Sequence, residues 1–326
     1  MRAAWYEKNG AARDVLRVGE LPDPIPGPGE VLVRMHTSGV NPSDVKSRVR
    51  RPLNGPFIIP HSDGGGIIQA VGAGVSNQRI GQRVWIWNGQ WQRPMGTASE
   101  FICLPQAQAV ELPEAIDFQA AACLGIPALT ALQAVRLAGP LEGKTVVVIG
   151  AGNSVGHYAA QLAVQRGATV IATAGAEARK AHALDAGASH VIDYKHEPVA
   201  TRIKELNGGQ GADVIIDMDF STTAALISEG ALRSHGSLIT YGSNSTEQVL
   251  LDQRIMIWES LAIKAFLIYD LTPVDRSAIL VEMTDLLRAK QLKHAIGPVC
   301  PLEDIATAHE LVEGGATVGN VLVSLT

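Results

Sequence analysis

The spacing of hydrophobic and polar positions divides the chain into two kinds of sequence. Before about residue 120, short apolar runs separated by glycine and proline predict β-strands joined by many turns. These runs lie at residues 1–6, 31–35, 66–72 and 82–87. After about residue 120, buried-strand runs alternate with helical spacing, which predicts βαβ units and a parallel sheet.

The second part of the chain contains most of the predicted elements. Strands are predicted at 145–150, 169–172, 213–217, 237–242 and 261–266, with a closing strand at 320–325. Helices are predicted at 157–166, 277–289 and 302–313. A length of 326 residues favours two domains over one core.

Composition narrows the class of protein. The chain is 46% hydrophobic and 18% charged, which is typical of a globular protein and excludes a disordered one. A net charge of -5 offers no broad basic surface, so nucleic acid is not an expected partner. No apolar run reaches the length of a membrane span, so no membrane association is expected.

The cysteines and the N-terminal residues indicate the cellular compartment in which the protein is expected. The 3 cysteines lie far apart with no C-x-x-C pair, which favours a reducing compartment over a disulfide framework. The first residues lack the regions of a signal peptide. We therefore expect a cytoplasmic protein.

The most informative segment is the glycine-containing run at 145–160, TVVVIGAGNSVGHYAA. A predicted strand leads through glycines directly into a predicted helix. This arrangement lets the backbone approach a pyrophosphate, which the N–H groups and dipole of the helix N-terminus then bind. The position within a βαβ unit makes the glycine pattern more specific than it would be alone.

The residues after the second strand of this unit indicate the choice of cofactor. An NAD site usually has an acidic residue there to hold the ribose 2′-hydroxyl. Here 172–176 reads ATAGA, and Arg179 and Lys180 follow. A basic group can pair with a 2′-phosphate, so NADPH is favoured over NADH. The alternative is that both side chains lie on a solvated helix face.

A hydrolase is the rival interpretation of the same loop. GNSVG at 152–156 matches the G-x-S-x-G nucleophile elbow, with Ser154 as nucleophile. The run DGGG at 63–66 would be its oxyanion loop, and Asp304 and His309 its triad partners. That interpretation does not explain the missing acid and the added basic residues after the second strand.

Several motifs along the whole chain carry a resemblance to one family. They are GVNPSD at 39–44, SDGGGIIQAVG at 62–72, ACLGIPALTA at 122–131, the glycine loop, SHGSLITYGS at 234–243 and ATVGNVLV at 316–323. On these motifs the chain resembles the zinc-free quinone oxidoreductase and ζ-crystallin branch of the medium-chain dehydrogenase/reductase superfamily.

The resemblance implies an α/β protein of two domains. A β-rich, GroES-like catalytic domain would be formed by residues 1–122 and 267–326, and a Rossmann NADP-binding domain with a doubly wound parallel sheet by residues 123–266. The active site would lie in the cleft between them. The family is commonly a homodimer or homotetramer.

The resemblance also predicts that no metal is bound. Zinc-dependent relatives have a cysteine at the position of Asn41 and a histidine at that of Ser62, and their structural-zinc loop is absent here. The 9 histidines show no metal-ligand spacing.

The resemblance assigns site residues by position. Asn41 and Asp44 would face the active-site cleft and Thr130 would lie beside the nicotinamide, as catalytic residues. The expected cofactor-binding residues are Gly150, Gly152, Asn153, Ser154, Val155, Gly156, Thr173, Arg179, Tyr194, Gly242, Ser243, Phe266 and Asn320. For Asp44 the alternative is a structural turn, and for Tyr194 an ordinary half-buried tyrosine.

Some positions depart from the family or leave its substrate open. Asn153 and Ser154 stand where relatives usually have glycine, and Lys46 replaces a tyrosine at the active-site mouth. Asn153 tolerates positive φ, so the loop can still form. Trp85, Trp87 and Trp91 are candidates either for an aromatic-accepting pocket or for core.

Three functions remain at this point. The first is metal-free hydride transfer from NADPH to a small quinone. The second is NADPH-dependent reduction of the C=C bond of an enone or alkenal, which also needs a proton donor that the sequence does not identify. The third is a non-catalytic ζ-crystallin-like protein that binds NADPH or RNA.

Overall fold

The computed structural model describes residues 1–325 and contains fifteen strands and twelve α-helices. The strands are β1 Arg2–Trp5, β2 Arg17–Glu20, β3 Glu30–Val40, β4 Asp63–Val71, β5 Arg83–Ile86, β6 Phe101–Pro105, β7 Ala109–Glu111, β8 Thr145–Val148, β9 Thr169–Ala174, β10 His190–Asp193, β11 Ala212–Asp217, β12 Leu232–Thr240, β13 Ala262–Ala265, β14 Ile296–Pro301 and β15 Asn320–Ser324.

The helices are α1 Ala12–Val15, α2 Pro42–Arg50, α3 Phe118–Ala121, α4 Leu129–Ala138, α5 Ser154–Gln165, α6 Glu177–Asp185, α7 Val199–Leu206, α8 Phe220–Thr223, α9 Ala225–Ser228, α10 Gln253–Trp258, α11 Pro273–Arg288 and α12 Ile305–Gly314. A π-helical turn, Leu124–Ala128, precedes α4 and contains Pro127. Short 3₁₀ turns complete the connections.

The chain forms two compact units, residues 1–126 with 294–326 and residues 127–293. Both boundaries differ from those expected from the resemblance, because residues 123–126 belong to the first unit and residues 267–293 to the second. Helix α11 joins α4 there, with Arg136 Nη1 donating to Glu282 Oε2 at 3.0 Å. The backbone N–H of Lys293 donates to Gln161 Oε1 on α5 at 2.8 Å.

The first unit is built on a mainly antiparallel sheet of seven strands. Its order is β14-β15-β3-β4-β5-β7, with β6 pairing with β3. Only glycine fits at parts of β4: a Cβ at Gly66 would lie 2.3 Å from the carbonyl oxygen of Arg34. Apolar side chains of β3 to β6, including Met35 and Ile68, form the core of this sheet.

The second unit is a parallel six-stranded sheet of order β10-β9-β8-β11-β12-β13. From the centre of the sheet, β8, β9 and β10 follow one another towards one edge, and β11, β12 and β13 follow one another towards the other edge. This is the doubly wound Rossmann order. The order therefore reverses between β8 and β11. In such sheets ligands bind beyond the carboxyl ends of the strands at this switch point, where the glycine loop after β8 lies.

Candidate active site

The loop between β8 and α5 is tightly constrained by glycine. Gly150 has φ +70°, and its N–H donates to Thr173 Oγ1 at 3.0 Å. A Cβ at Gly156 would lie 2.3 Å from the carbonyl oxygen of Gly150, and one at Gly152 would lie 2.5 Å from Arg179 Cβ. No side chain can therefore be accommodated at these glycines, and their backbone is open to close approach by a phosphate.

The N-terminus of α5 follows this loop directly. Asn153 is the N-cap, and none of the described side chains caps the first N–H groups. The N–H groups of Ser154, Val155 and Gly156 belong to this first turn, which carries the positive end of the helix dipole. Asn153 has φ -100°, so the positive φ considered from the sequence is not used. Its Nδ2 instead donates to the sulfur of Met218 at 3.0 Å.

The adenosine end of the predicted site lies beyond β9. No acidic residue occurs in 172–176, which covers the end of this strand and the two residues after it. Lys180 Nζ pairs with Asp193 Oδ2 at 2.9 Å and with Glu177 Oε1 at 2.6 Å. This pairing lowers the pKa of Asp193 below its ordinary value. Lys180 is therefore paired with two carboxylates.

Tyr194 lies at the same edge of the sheet, after β10. A Cβ at Gly175 would lie 2.8 Å from Tyr194 Cζ and 2.8 Å from Lys195 Cε. The tyrosine is 50% exposed. Gly175 thus leaves room for an aromatic ring beside the end of β9, where an adenosine is expected.

Two predicted site residues, Thr130 and Asn320, have buried polar side chains. Within residues 1–325, Thr130 Oγ1 has no hydrogen-bond partner, whereas the Asn320 side chain forms a hydrogen bond with the thiol of Cys123. Thr130 is 3% exposed in the second unit and Asn320 is 4% exposed in the first. A buried polar atom without a partner costs about 1–3 kcal/mol, so Thr130 Oγ1 favours a ligand that supplies one.

Three further predicted cofactor residues follow β12 and β13. A Cβ at Gly242 would lie 2.5 Å from the carbonyl oxygen of Met218, the residue that also contacts Asn153. Ser243 Oγ donates to the carbonyl of Ser245 at 2.8 Å. The ring of Phe266 packs against that of Tyr241, with centroids 6.1 Å apart.

The first unit brings Asn41 together with two buried carboxyl groups. Asn41 Nδ2 donates to Asp63 Oδ1 at 2.7 Å. The backbone N–H of Asn41 donates to Asp44 Oδ2 at 2.8 Å, which is the capping interaction of α2. Asp63 also accepts the N–H of Ile126 at 3.0 Å. Asp63 is thus a positioning residue that the sequence did not identify, although an acid before three glycines was a signal.

Burial changes the protonation of both acids. Desolvation raises the pKa of Asp44 to about 7, and hydrogen bonds from Asn41 oppose that rise. Desolvation and the neighbouring Asp44 raise the pKa of Asp63 well above its ordinary value. Asp44 therefore has a capping role, as its structural alternative required, and can also hold a proton near neutral pH.

The three tryptophans of residues 85–91 do not share an environment. Trp85 is fully buried in the sheet. Trp87 Nε1 donates to the carbonyl of Ala107 at 3.1 Å. Trp91 lies beneath Arg51, whose guanidinium carbon is 5.7 Å from the ring centroid, and it lines a cavity. Lys46 is half-buried on α2.

The structure gives no support to the hydrolase interpretation. Ser154 has no left-handed φ, although a nucleophile elbow is a strained turn. His309 is fully buried in the first unit and its Nε2 lies 3.0 Å from that of His61. The helix N-terminus at Ser154 fits an anion site better than a nucleophile.

Neither a metal-ligand cluster nor a membrane span occurs in residues 1–325. No group of three or more His, Cys, Asp or Glu side chains there could hold a metal ion. The positions at which zinc-dependent relatives supply Cys and His are occupied by Asn41 and Ser62, both buried. No helix in the same range is long and apolar enough to cross a membrane.

Comparison with known families assigns both units. Residues 27–114 match the family described as alcohol dehydrogenase GroES-like domain, and residues 154–285 match the zinc-binding dehydrogenase family. The first match identifies the unit containing Asn41 as GroES-like. The second covers most of the Rossmann unit.

Individual proteins resemble the chain over nearly its whole length. The quinone oxidoreductase of Homo sapiens is 30% identical over 335 residues, which cover 100% of this chain and 98% of that protein. The Escherichia coli quinone oxidoreductase complexed with NADPH is 26% identical with a TM-score of 0.87, covering 99% and 100%. A cobalt- and zinc-bound alcohol dehydrogenase from Pyrobaculum aerophilum is 27% identical with a TM-score of 0.85, covering 99% of each chain.

Proposed function

Because the chain belongs to the quinone oxidoreductase family of medium-chain dehydrogenases and reductases, we propose that it reduces a small quinone with NADPH and without a metal ion. The observation that carries the proposal is the bare glycine loop from Gly150 to Gly156, which opens directly into α5 at the switch point of a Rossmann sheet. Bound NADPH supplies a hydride to the quinone carbonyl system.

The residues present fit this cofactor. The N–H groups at the start of α5 would bind the pyrophosphate, and Arg179 the 2′-phosphate that distinguishes NADPH from NADH. Tyr194 would pack on the adenosine beside Gly175. Within the second unit, Thr130 Oγ1, which has no hydrogen-bond partner among residues 1–325, would lie beside the nicotinamide.

Residues of the first unit would orient the quinone and supply a proton to it. A quinone that gains a hydride develops an oxyanion and needs one proton to become a hydroquinone. Asp44 holds a proton near neutral pH because its pKa is raised to about 7, so it is the proposed source of that proton. Asn41, held by Asp63 at 2.7 Å, orients the acceptor.

The same proposal includes a cytoplasmic location and a homodimer or homotetramer. The 3 cysteines are all free in the structure, and Cys123 and Cys300 are buried. Free thiols of this kind suit a reducing compartment.

Initial rates with defined acceptors test the proposal. Purified protein would be assayed for loss of NADPH absorbance with 1,4-benzoquinone, with an unsaturated ketone and with no acceptor, and for hydrolysis of an ester. NADH and a chelator are the controls. We expect NADPH-specific, chelator-resistant reduction of the quinone. Reduction of the ketone alone would assign C=C reduction instead, and ester hydrolysis without cofactor oxidation would contradict the proposal.

A further inference from the structure

A cavity of about 300 Å³ lies wholly within the first unit, beside the C-terminal end of α2. Ligand pockets span roughly 300–1,000 Å³, so this volume suits a molecule of one or two rings. Its walls combine apolar and polar side chains, among them Tyr6, Ile58, Trp91, Gln90, Gln92 and Arg51.

The apolar part of the cavity is suited to a flat ring. Tyr6 is 3% exposed and Ile58 is also 3% exposed, so both are fixed by packing. Trp91 is half-buried and presents its indole on the same cavity. Aromatic side chains bind planar ligands by stacking or edge-to-face contact.

The polar part of the cavity carries one positive charge. Arg51 is exposed and lies over the face of Trp91, and it forms no ion pair with any described residue. None of the described residues that line the cavity is acidic. The amide of Gln92 adds a hydrogen-bond donor, whereas Gln90 Nε2 already donates to the carbonyl of Arg93 at 2.9 Å. A guanidinium stacked on an aromatic ring keeps its planar N–H fork for a carboxylate.

The cavity is close to the proposed acceptor site. Arg51 follows the last residue of α2, the helix that Asn41 caps and that contains Asp44. A rise of 1.5 Å per residue places Arg51 about 10 Å along the helix from Asp44. Asp44 and Arg51 also interact electrostatically, and both act on the pKa of Tyr6.

We propose that this cavity binds a planar aromatic molecule carrying a carboxylate, with the ring against Trp91 and Tyr6 and the carboxylate on Arg51. The inference rests on the proposed function in one respect, that the natural ligand is the hydride acceptor. It narrows that acceptor from any small quinone to a quinone with an acidic substituent.

Binding of a redox-inert pair tests the site without turnover. The affinities of 2-naphthoate and its neutral analogue 2-naphthamide for the purified full chain would be measured by calorimetry. The variants are Arg51→Gln, which removes the charge, and Arg51→Lys, which keeps the charge but not the fork. Arg50→Gln is the matched control, because Arg50 is the exposed neighbour of Arg51 and does not line the cavity.

We expect the wild type and Arg50→Gln to bind naphthoate at least about tenfold more tightly than naphthamide, a difference of about 1.4 kcal/mol. Arg51→Gln should bind the two equally, and Arg51→Lys should show an intermediate preference. Naphthoate should also inhibit reduction of 1,4-benzoquinone competitively. Equal affinities in the wild type, no binding of either compound, or the same loss in Arg50→Gln and Arg51→Gln would overturn the proposal.

The two proposals fail separately. An Arg51-dependent preference for naphthoate in a protein that reduces no quinone would keep the site and remove the proposed function. Quinone reduction with no preference for naphthoate would keep the function and remove the acidic acceptor.

Discussion

The amide of Asn41 donates a hydrogen bond of 2.7 Å to the carboxyl group of Asp63, a residue that β4 holds in the core of the first unit. The same carboxyl group accepts the backbone N–H of Ile126 at 3.0 Å. One buried acid therefore fixes both the predicted acceptor-orienting side chain and the chain segment that leads towards α4.

Replacing Asp63 with asparagine tests that role. The Asp63→Asn variant turns one of the two acceptor oxygens into a donor, which then faces an N–H group of Asn41 or Ile126. We expect the free energy of unfolding to fall by about 1–3 kcal/mol and kcat for the quinone to fall with it. Urea unfolding and initial rates measure both, with Asp270→Asn at an exposed position as control. An unchanged unfolding midpoint would show that Asp63 does not position Asn41.

The close packing of the glycine loop predicts that a side chain at Gly156 lowers the affinity for NADPH. The new Cβ in Gly156→Ala would lie 2.3 Å from the carbonyl oxygen of Gly150, so the loop must open and NADPH affinity should fall at least tenfold. Gly314→Ala is the control, because a Cβ there meets nothing within 4 Å. Fluorescence titration with NADPH measures both variants. Equal affinity in Gly156→Ala and the wild type would mean that the pyrophosphate does not bind this loop.

Arg179 should determine the preference for NADPH. Arg179→Gln removes a charge-assisted hydrogen bond worth about 1.5–3 kcal/mol, so the ratio of kcat/KM for NADPH to that for NADH should fall about tenfold to a hundredfold. Arg202→Gln, on α7, is a control for loss of a surface arginine. If the ratio is retained in Arg179→Gln, another basic group must select the 2′-phosphate.

The pKa of Asp44 predicts how stability depends on pH. The folded protein keeps the Asp44 proton up to about pH 7, whereas the unfolded chain releases it near the ordinary value of 3.8. The contribution of the neutral carboxyl is complete below that ordinary value and is lost as the pH rises to about 7. Relative to Asp44→Asn, the wild type should therefore lose up to about 1.4 kcal/mol of unfolding free energy per pH unit in this range. Urea unfolding curves that stay parallel between the two proteins would contradict the raised pKa.

Local patterns predicted the elements of this fold better than its long-range contacts. The strand, glycine loop and helix around Gly150 are adjacent in sequence, so their spacing was sufficient. Five strands were not predicted, namely β2, β6, β7, β10 and β14. Among them, β10 is short and polar-ended, and β14 contains Pro298 and Pro301. Both form edges of their sheets, where apolar patterning is weaker.

In the candidate site, too, the long-range contacts could not be predicted from local sequence patterns. The roles of neighbouring Arg179 and Lys180 could not be separated in the sequence, because the pairing of Lys180 with Asp193 depends on where β10 ends. The link between Asn41 and Asp63 joins residues on different elements, and no local period records it. The sequence therefore predicted the residues of the candidate site, and only the structure shows their hydrogen-bond partners.

The fate of deuterium at C4 of NADPH tests the central claim most directly. The protein would oxidise each of the two stereoisomers of 4-deuterated NADPH with 1,4-benzoquinone. The deuterium content of the NADP⁺ formed would then be measured by mass spectrometry. If the protein holds the nicotinamide against the acceptor, one stereoisomer should lose its deuterium completely and the other should retain it. The account would be contradicted if both stereoisomers gave the same mixture as protein-free solution, because hydride transfer would then not occur in a site of this protein.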